Sequence, residues 1–304
     1  MRAAATSSFG PPETLRLTEV AKPLVGTGRV RVRVRVAGVQ PVDCKVRAGG
    51  TPFARSVTFP LIPGNEFAGV VDGVGEGVTD FSAGDEVLGF GLFGCYAEYV
   101  VVPADQIVSK PPSMPWEIAG GFSGNGQGAH MALREMKVCP GDTVLINAAA
   151  GGLGTFAVQL ARAWGAEKVI GTASEANHGY LRALGAVPVT YGEGLAERIR
   201  ALAPEGVDAA LDAAGEEALR ASVEVTKDKD RVVTMVSFAA AQELGLPDWS
   251  ATRSAARLVE LVKLYEEGAL TLHIRAAYPL ERAADAHRDV GNGHGRGKVV
   301  IMVG

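Results

Sequence analysis

Residues 143–174, TVLINAAAGGLGTFAVQLARAWGAEKVIGTAS, constrain the fold more than any other stretch of the chain. Thr143 to Ala148 is a short apolar run with β-branched residues, which suits a buried strand. Ala149-Ala150-Gly151-Gly152-Leu153-Gly154 then makes a tight turn of small residues. From Leu153 the apolar positions fall at Leu153, Ala157, Leu160, Ala161 and Trp164, the spacing of one helix face. Gly165 closes that helix and Lys168–Thr172 begins a second strand. Strand, glycine turn, helix and strand form the unit that binds dinucleotides, with Ala149 in place of the first glycine of GxGxxG. Small residues let a pyrophosphate approach the backbone and lie on the helix N-terminus. Ala150, Gly151, Gly152, Leu153 and Gly154 are therefore the first cofactor-binding candidates. The competing reading is a glycine-rich turn in an unrelated α/β protein.

A chain of 304 residues has room for two domains and a substantial core. Thirty basic and thirty-four acidic residues give a net charge of −4, so no general attraction to nucleic acid or membrane is expected. No apolar run approaches the roughly eighteen residues of a membrane span, and the opening MRAAATSSFGPPETL lacks the apolar core of a signal peptide. Cys44, Cys95 and Cys139 are isolated, odd in number and without metal-ligand spacing. They read as reduced thiols of a cytoplasmic enzyme.

Residues 1–112 read as all-β. Arg29–Val36, RVRVRVRV, alternates strictly and puts valines on one face and four arginines on the other. The arginine face is either the solvated side of a half-buried strand or a nucleic-acid surface, and the acidic balance of the chain favours the first. Further strands are expected at Phe67–Val74, Glu86–Gly89 and Ala97–Val102. Lys110-Pro-Pro-Ser-Met-Pro115 is a proline-rich joint where the pattern changes to alternating helix and strand. Trp116–Glu135 reads as helix interrupted by Gly124-Asn-Gly-Gln-Gly128. Arg231–Phe238 reads as a long apolar strand and Ala251–Glu267 as an amphipathic helix. Leu272–Gly304 returns to strand-like segments, so the expected domains are 1–112 with 270–304, and 113–269.

This order of parts resembles a zinc-free medium-chain dehydrogenase/reductase of the quinone oxidoreductase type. The residues that carry the resemblance are Pro41-Val-Asp43, Pro63-Gly-Asn-Glu-Phe-Ala-Gly-Val70, Gly84-Asp-Glu-Val-Leu-Gly89 and Tyr96-Ala-Glu-Tyr99. The glycine turn, Leu184-Gly-Ala186 and Gly297-Lys-Val-Val300 complete it. The resemblance implies an α/β chain with a GroES-like β domain built from both ends, a Rossmann domain between them, and NADPH in the interdomain cleft. It also implies cofactor contacts from Asn125 and Gly128, from Ala213 and Ala214, and from Ser237 and Phe238.

Zinc-dependent relatives place a Cys near the position of Gln40 and a His at that of Asn65. Both ligands are absent, as is the four-Cys loop of a structural zinc, and amides are poor zinc ligands. No metal is expected. Without a Lewis acid the favoured products are anions stabilised by conjugation, the enolate of an enone or the anion of a hydroquinone. The second strand ends Gly171-Thr-Ala-Ser174 with no acid at that point to hold a ribose diol, although Glu175 follows. The resemblance points to Ser174, His178 and Tyr191 around a 2′-phosphate, with His178 in place of the usual Lys. The alternative for His178 is a surface position on the next helix.

Gln40-Pro-Val-Asp-Cys-Lys45 resembles the loop that lines the nicotinamide, where common relatives have Asn and Tyr at the positions of Gln40 and Lys45. A partly desolvated Lys45 would donate a proton or stabilise the enolate. The alternative is a surface lysine, with solvent as the proton source. Asp43 reads as a turn or helix cap. Gly128 stands where similar proteins carry a Thr; either Asn125 or Gln127 replaces its hydrogen bond, or Gly124–Gly128 signals a remodelled pocket.

The expected activity is NADPH-dependent reduction of a quinone or an α,β-unsaturated carbonyl, both small-molecule substrates. The runner-up is a stand-alone enoyl reductase acting on a carrier-bound thioester. A reading of another class is a cofactor-binding protein with little turnover, crystallin-like or RNA-binding, supported only by the arginine row. A homodimer is expected from the Arg231–Phe238 edge strand, which would pair with its copy.

Overall fold

The computed structural model describes residues 1–304 except 52, 53, 56 and 294. They divide into two compact units, the first of Met1–Gly124, Ser254–Val262 and His273–Gly304, the second of Asn125–Arg253 and Lys263–Leu272. The chain opens with β1 (Arg2–Ala5), β2 (Arg16–Glu19), β3 (Arg29–Val39), α1 (Pro41–Ala48) and β4 (Glu66–Val74). β5 (Glu86–Phe90), β6 (Tyr99–Pro103), β7 (Ile107–Ser109), α2 (Trp116–Gly120) and α3 (Ser123–Glu135) follow. Next come β8 (Thr143–Ile146), α4 (Gly152–Ala163), β9 (Lys168–Thr172), α5 (His178–Ala183) and β10 (Val187–Val189). α6 (Leu195–Leu202), β11 (Ala209–Asp212), α7 (Glu216–Val225), β12 (Val232–Thr234) and α8 (Phe238–Glu243) continue the alternation. α9 (Ala255–Glu266), β13 (Ile274–Pro279), α10 (Ala283–Gly291) and β14 (Lys298–Met302) close it.

In the first unit a seven-stranded sheet runs β13-β14-β3-β4-β5-β7, with β6 also paired to β3. β14 lies antiparallel to β3, so the end of the chain completes a sheet begun near its start. The alternation in β3 works as expected. Val30, Val32, Val34 and Val36 are buried, while Arg29 and Arg33 are exposed and Arg31 and Arg35 half-buried. Val30, Val32 and Val34 join Phe67, Val71, Tyr96, Val299 and Ile301 in one core, each large side chain contributing about 1.5–3 kcal/mol on burial. The unit runs on past the proline-rich joint, because α2 packs on β3 and β4. That contact is close: a Cβ on Gly120 would meet the Val36 side chain at 2.5 Å.

The second unit is built on a five-stranded parallel sheet in the order β10-β9-β8-β11-β12. Counted from β8 this is 3-2-1-4-5, the Rossmann order, and the direction of winding reverses between β8 and β11. Leu145, Ile170, Ile199, Ala210, Leu219 and Val232 form its core. The chain is thus α/β, with a GroES-like β unit and a Rossmann unit.

Two expectations need correction. The glycine run 124–128 does not interrupt a helix but lies inside α3, which is continuous from Ser123 to Glu135. Close packing explains it, since a Cβ on Gly124 would stand 1.6 Å from Gln40 Nε2. Second, Arg231–Phe238 is not a long strand. β12 has 3 residues, Val232–Thr234. The Thr234 Oγ1 accepts from the N–H groups of Val236 (3.1 Å) and Ser237 (2.9 Å), which curls the chain away from the sheet. The edge on which the homodimer expectation rested is therefore short. Among the described residues no helix is long and apolar enough to cross a membrane.

Candidate active site

In the second unit the glycine turn lies at the switch point. The N–H groups of Gly152, Leu153 and Gly154 open α4 and have no intrahelical carbonyl to bond, so they present a positive end to an anion. Ala148 adopts φ +54°, a left-handed conformation costly for a residue with a Cβ, and the Thr172 Oγ1 accepts its N–H at 3.0 Å. A Cβ on Gly154 would stand 2.4 Å from the Ala148 carbonyl oxygen and 2.5 Å from the Ala149 Cα, so only glycine lets α4 pack on β8. Ala150 is buried beneath the turn and Gly151 is its extended N-cap. These features fit a bound dinucleotide.

Gly128 in α3 faces the same turn: a Cβ there would meet Leu153 Cδ1 at 3.3 Å and Met235 Cε at 3.6 Å. The glycine thus makes room for Leu153. Asn125 is buried one turn earlier. Ala213 and Ala214 follow β11, where buried Asp212 accepts the N–H of Ala214 at 2.9 Å and of Gly215 at 3.0 Å through Oδ1. Its Oδ2 accepts the Thr234 hydroxyl at 2.7 Å. Asp212 and Thr234 together shape both loops that carry Ala213, Ala214, Ser237 and Phe238. Sequence reasoning missed them, though an Asp ending an apolar strand was a visible signal.

Ser174 and Tyr191 lie beyond the ends of β9 and β10, which pair in parallel. Ser174 Oγ accepts from Asn177 at 3.1 Å, and Tyr191 is half exposed. His178 opens α5 with its Nε2 buried and unpartnered, which differs from a simple surface position. Arg198 was not foreseen. Its guanidinium donates to the carbonyls of Thr190 (3.0 Å) and Glu193 (2.7 Å), holding the loop that carries Tyr191.

In the first unit Gln40 is the N-cap of α1. Its Nε2 donates at 2.9 Å to Glu66 Oε1, which also receives Lys298 Nζ at 2.5 Å. Glu66 Oε2 accepts the Gly124 N–H at 2.6 Å, at the positive end of α3. Glu66 and Lys298 are both buried, a pair sequence reasoning missed because 232 positions separate them. Lys45, by contrast, is exposed on α1, so the desolvation its acid role required is absent.

A second cluster adjoins the first. Asp43 accepts the backbone N–H of Gln40 at 2.9 Å, as the third residue of a capping box, and also Asn65 Nδ2 at 2.8 Å and the Tyr96 hydroxyl at 3.0 Å. Burial pushes its carboxyl up to about 6 against the pull of these donors. Burial likewise raises the Tyr96 phenol well above its usual range, and pushes the Cys44 thiol up to about 12. His287, edge-on to Tyr96, is held down to about 3 by burial and the nearby Arg47.

The sign of the Asp43 effect follows from its raised value. The folded chain binds this proton more tightly than the unfolded one, so the group's contribution to stability falls as pH rises from about 4 to about 6. A shift of roughly 2 pKa units corresponds to about 3 kcal/mol. Urea unfolding across that range should show wild type losing about that much relative to Asp43→Asn; His287, which loses stability toward acid, is common to both. Parallel curves for the two proteins would refute the shift.

A parallel sheet with a glycine turn at its switch point, in a chain that also carries a β unit assembled from its early and late segments, marks the nicotinamide-cofactor oxidoreductases. A family model described as "Alcohol dehydrogenase GroES-like domain" matches residues 26–112, and one described as "Zinc-binding dehydrogenase" matches 184–301. The human synaptic vesicle membrane protein VAT-1 homolog is 30% identical over 100% of this chain and 87% of its own length. Pikromycin polyketide synthase component PikAII of Streptomyces venezuelae is 34% identical over 98% of this chain and 8% of its own. Among solved structures, the quinone oxidoreductase from Coxiella burnetii aligns with a TM-score of 0.88 at 31% identity, covering 100% of this chain and 99% of that one. Mycobacterial Rv1454c complexed with NADPH aligns at 0.89 and 29% identity, covering 100% of both chains. The chain belongs to the medium-chain dehydrogenase/reductase family, in its quinone oxidoreductase-like branch.

Among the described residues no group of three or more His, Cys, Asp or Glu is arranged to hold a metal ion. The amide nitrogens of Gln40 and Asn65 act as donors to Glu66 and Asp43.

Proposed function

We propose that this chain is an NADPH-dependent reductase that delivers hydride to a quinone or an α,β-unsaturated carbonyl without a metal. The observation that carries the reading is the donor role of Gln40 and Asn65. Amides are not among the ligands zinc prefers, and here their N–H groups are turned to carboxylates. Bound NADPH supplies the hydride. The turn Ala150–Gly154 receives its pyrophosphate, Gly128 and the loops at Ala213–Ala214 and Ser237–Phe238 flank it, and Ser174, His178 and Tyr191 take the 2′-phosphate. Gln40, fixed through Glu66 and Lys298, presents its remaining amide surface to the substrate, and exposed Lys45 leaves water to protonate the product anion. The NADPH complex of the mycobacterial relative supports the cofactor choice.

The PikAII match supports a second reading, reduction of a carrier-bound enoyl thioester. Cofactor oxidation measured across quinones, enones and enoyl thioesters separates the two. The expected result is turnover of quinones or enones with kcat/KM at least about tenfold higher for NADPH than NADH, a difference of about 1.4 kcal/mol. Preference for NADH would remove the 2′-phosphate assignment. Turnover confined to thioesters would establish the second reading.

A further inference from the structure

The arginine row of β3 is not used by the reductase site, and its members differ in their surroundings. Arg31 is held by Asp72 at 2.6 Å and by the Pro23 carbonyl at 3.0 Å. Arg2 of β1 is held by Glu98 at 2.8 Å and Glu281 at 2.9 Å. Arg33 and Arg35 flank Val34, where β3 shifts register against β4, and neither pairs with a carboxylate among the described residues. The Arg35 Nε is buried without a hydrogen-bond partner. Both side chains line a cavity of about 230 Å³ within the first unit, together with Arg2, Glu98, Tyr99 and Gly304.

Two adjacent guanidiniums repel, and a buried N–H without an acceptor costs about 1–3 kcal/mol. An oxyanion in the cavity offsets the repulsion, because the planar fork of a guanidinium matches two oxygens at once. The one side-chain carboxylate on the wall, Glu98, is already bound by the backbone N–H and Nε of Arg2, both at 2.8 Å. Tyr99, paired opposite Arg33 across the β3–β6 ladder, adds an aromatic wall whose ring also carries the Lys22 ammonium at 3.8 Å. The cavity is large enough for a phosphate group with part of an organic substituent.

We propose that this cavity binds a phosphate-bearing small molecule, gripped by Arg33 and Arg35. The test uses the full chain, with inorganic phosphate and then pyrophosphate as probes. Melting temperature and calorimetric titration are followed at ionic strength held constant with sodium chloride. The expected result is saturable stabilisation, with affinity weakened at least about tenfold in Arg33→Ala/Arg35→Ala. If the double variant folds poorly, the exposed Arg33→Ala alone provides the comparison. Arg35→Lys, which keeps the charge but not the fork, should retain only part of the affinity. Gly152→Asp, which blocks the nucleotide turn, should leave this binding intact. Stabilisation that survives the arginine changes but disappears in Gly152→Asp would assign the anion to the nucleotide turn and overturn the proposal. Absence of binding in wild type would overturn it equally.

Discussion

Gly152→Asp should abolish NADPH binding in a protein that still folds. Position 152 is the first residue of α4, where helix geometry leaves N–H groups free and an acidic side chain is favourable to the helix itself. The new carboxylate therefore leaves the melting temperature nearly unchanged. It also occupies the positive end that the pyrophosphate needs and repels the phosphates across it. Titration of NADPH fluorescence should show at least about a hundredfold loss of affinity, close to 3 kcal/mol. Gly154→Ala makes the contrast. Its Cβ would press on the Ala148 oxygen at 2.4 Å and the Ala149 Cα at 2.5 Å, so α4 must shift and stability should fall by about 1–3 kcal/mol. Unchanged NADPH affinity in Gly152→Asp would remove this turn from the cofactor site.

The buried pair Glu66–Lys298 should show the largest energetic coupling in the first unit. Lys298→Met leaves the Glu66 carboxylate buried with the Gln40 amide and the Gly124 N–H but no cation. Breaking one side of such a pair costs about 3–5 kcal/mol, a large share of the roughly 5–15 kcal/mol that holds a domain folded. Glu66→Gln leaves the ammonium stranded at similar cost. Glu66→Gln with Lys298→Met removes both charges and should recover most of the loss. Urea unfolding of the four proteins measures the coupling. Single losses that simply add in the double variant would mean the two groups do not act as a pair.

What was legible in the sequence was local and periodic. The turn 149–154 between an apolar strand and an amphipathic helix, and the Arg/Val alternation of β3, each carry their signal within about a dozen residues. The misreadings came from side chains acting across distance. Glycines 124 and 128 lie in a helix because Gln40 and Leu153 press against them, contacts no local pattern encodes. β12 stops at Thr234 because its hydroxyl captures two backbone N–H groups that a strand would have presented. Glu66 and Lys298 each stand as a charge at the head of a largely apolar strand, β4 and β14. That anomaly, with opposite signs, was the available clue to their partnership. Of the two readings open for Lys45, its exposed place on α1 fits the surface lysine, a distinction the sequence around it does not carry.

The insertion of β14 between β13 and β3 dictates the sequence of events on the ribosome. All five strands of the second unit fall between residues 143 and 234, so its sheet is complete while the final strand is still inside the translation machinery. The first unit, though begun earlier, waits with the valine-rich β3 lacking its β14 neighbour and Glu66 lacking its cation. Nascent chains therefore carry a finished nucleotide unit beside a half-built β unit with an open strand edge. An unpaired strand edge of this kind is a template on which another chain can pair.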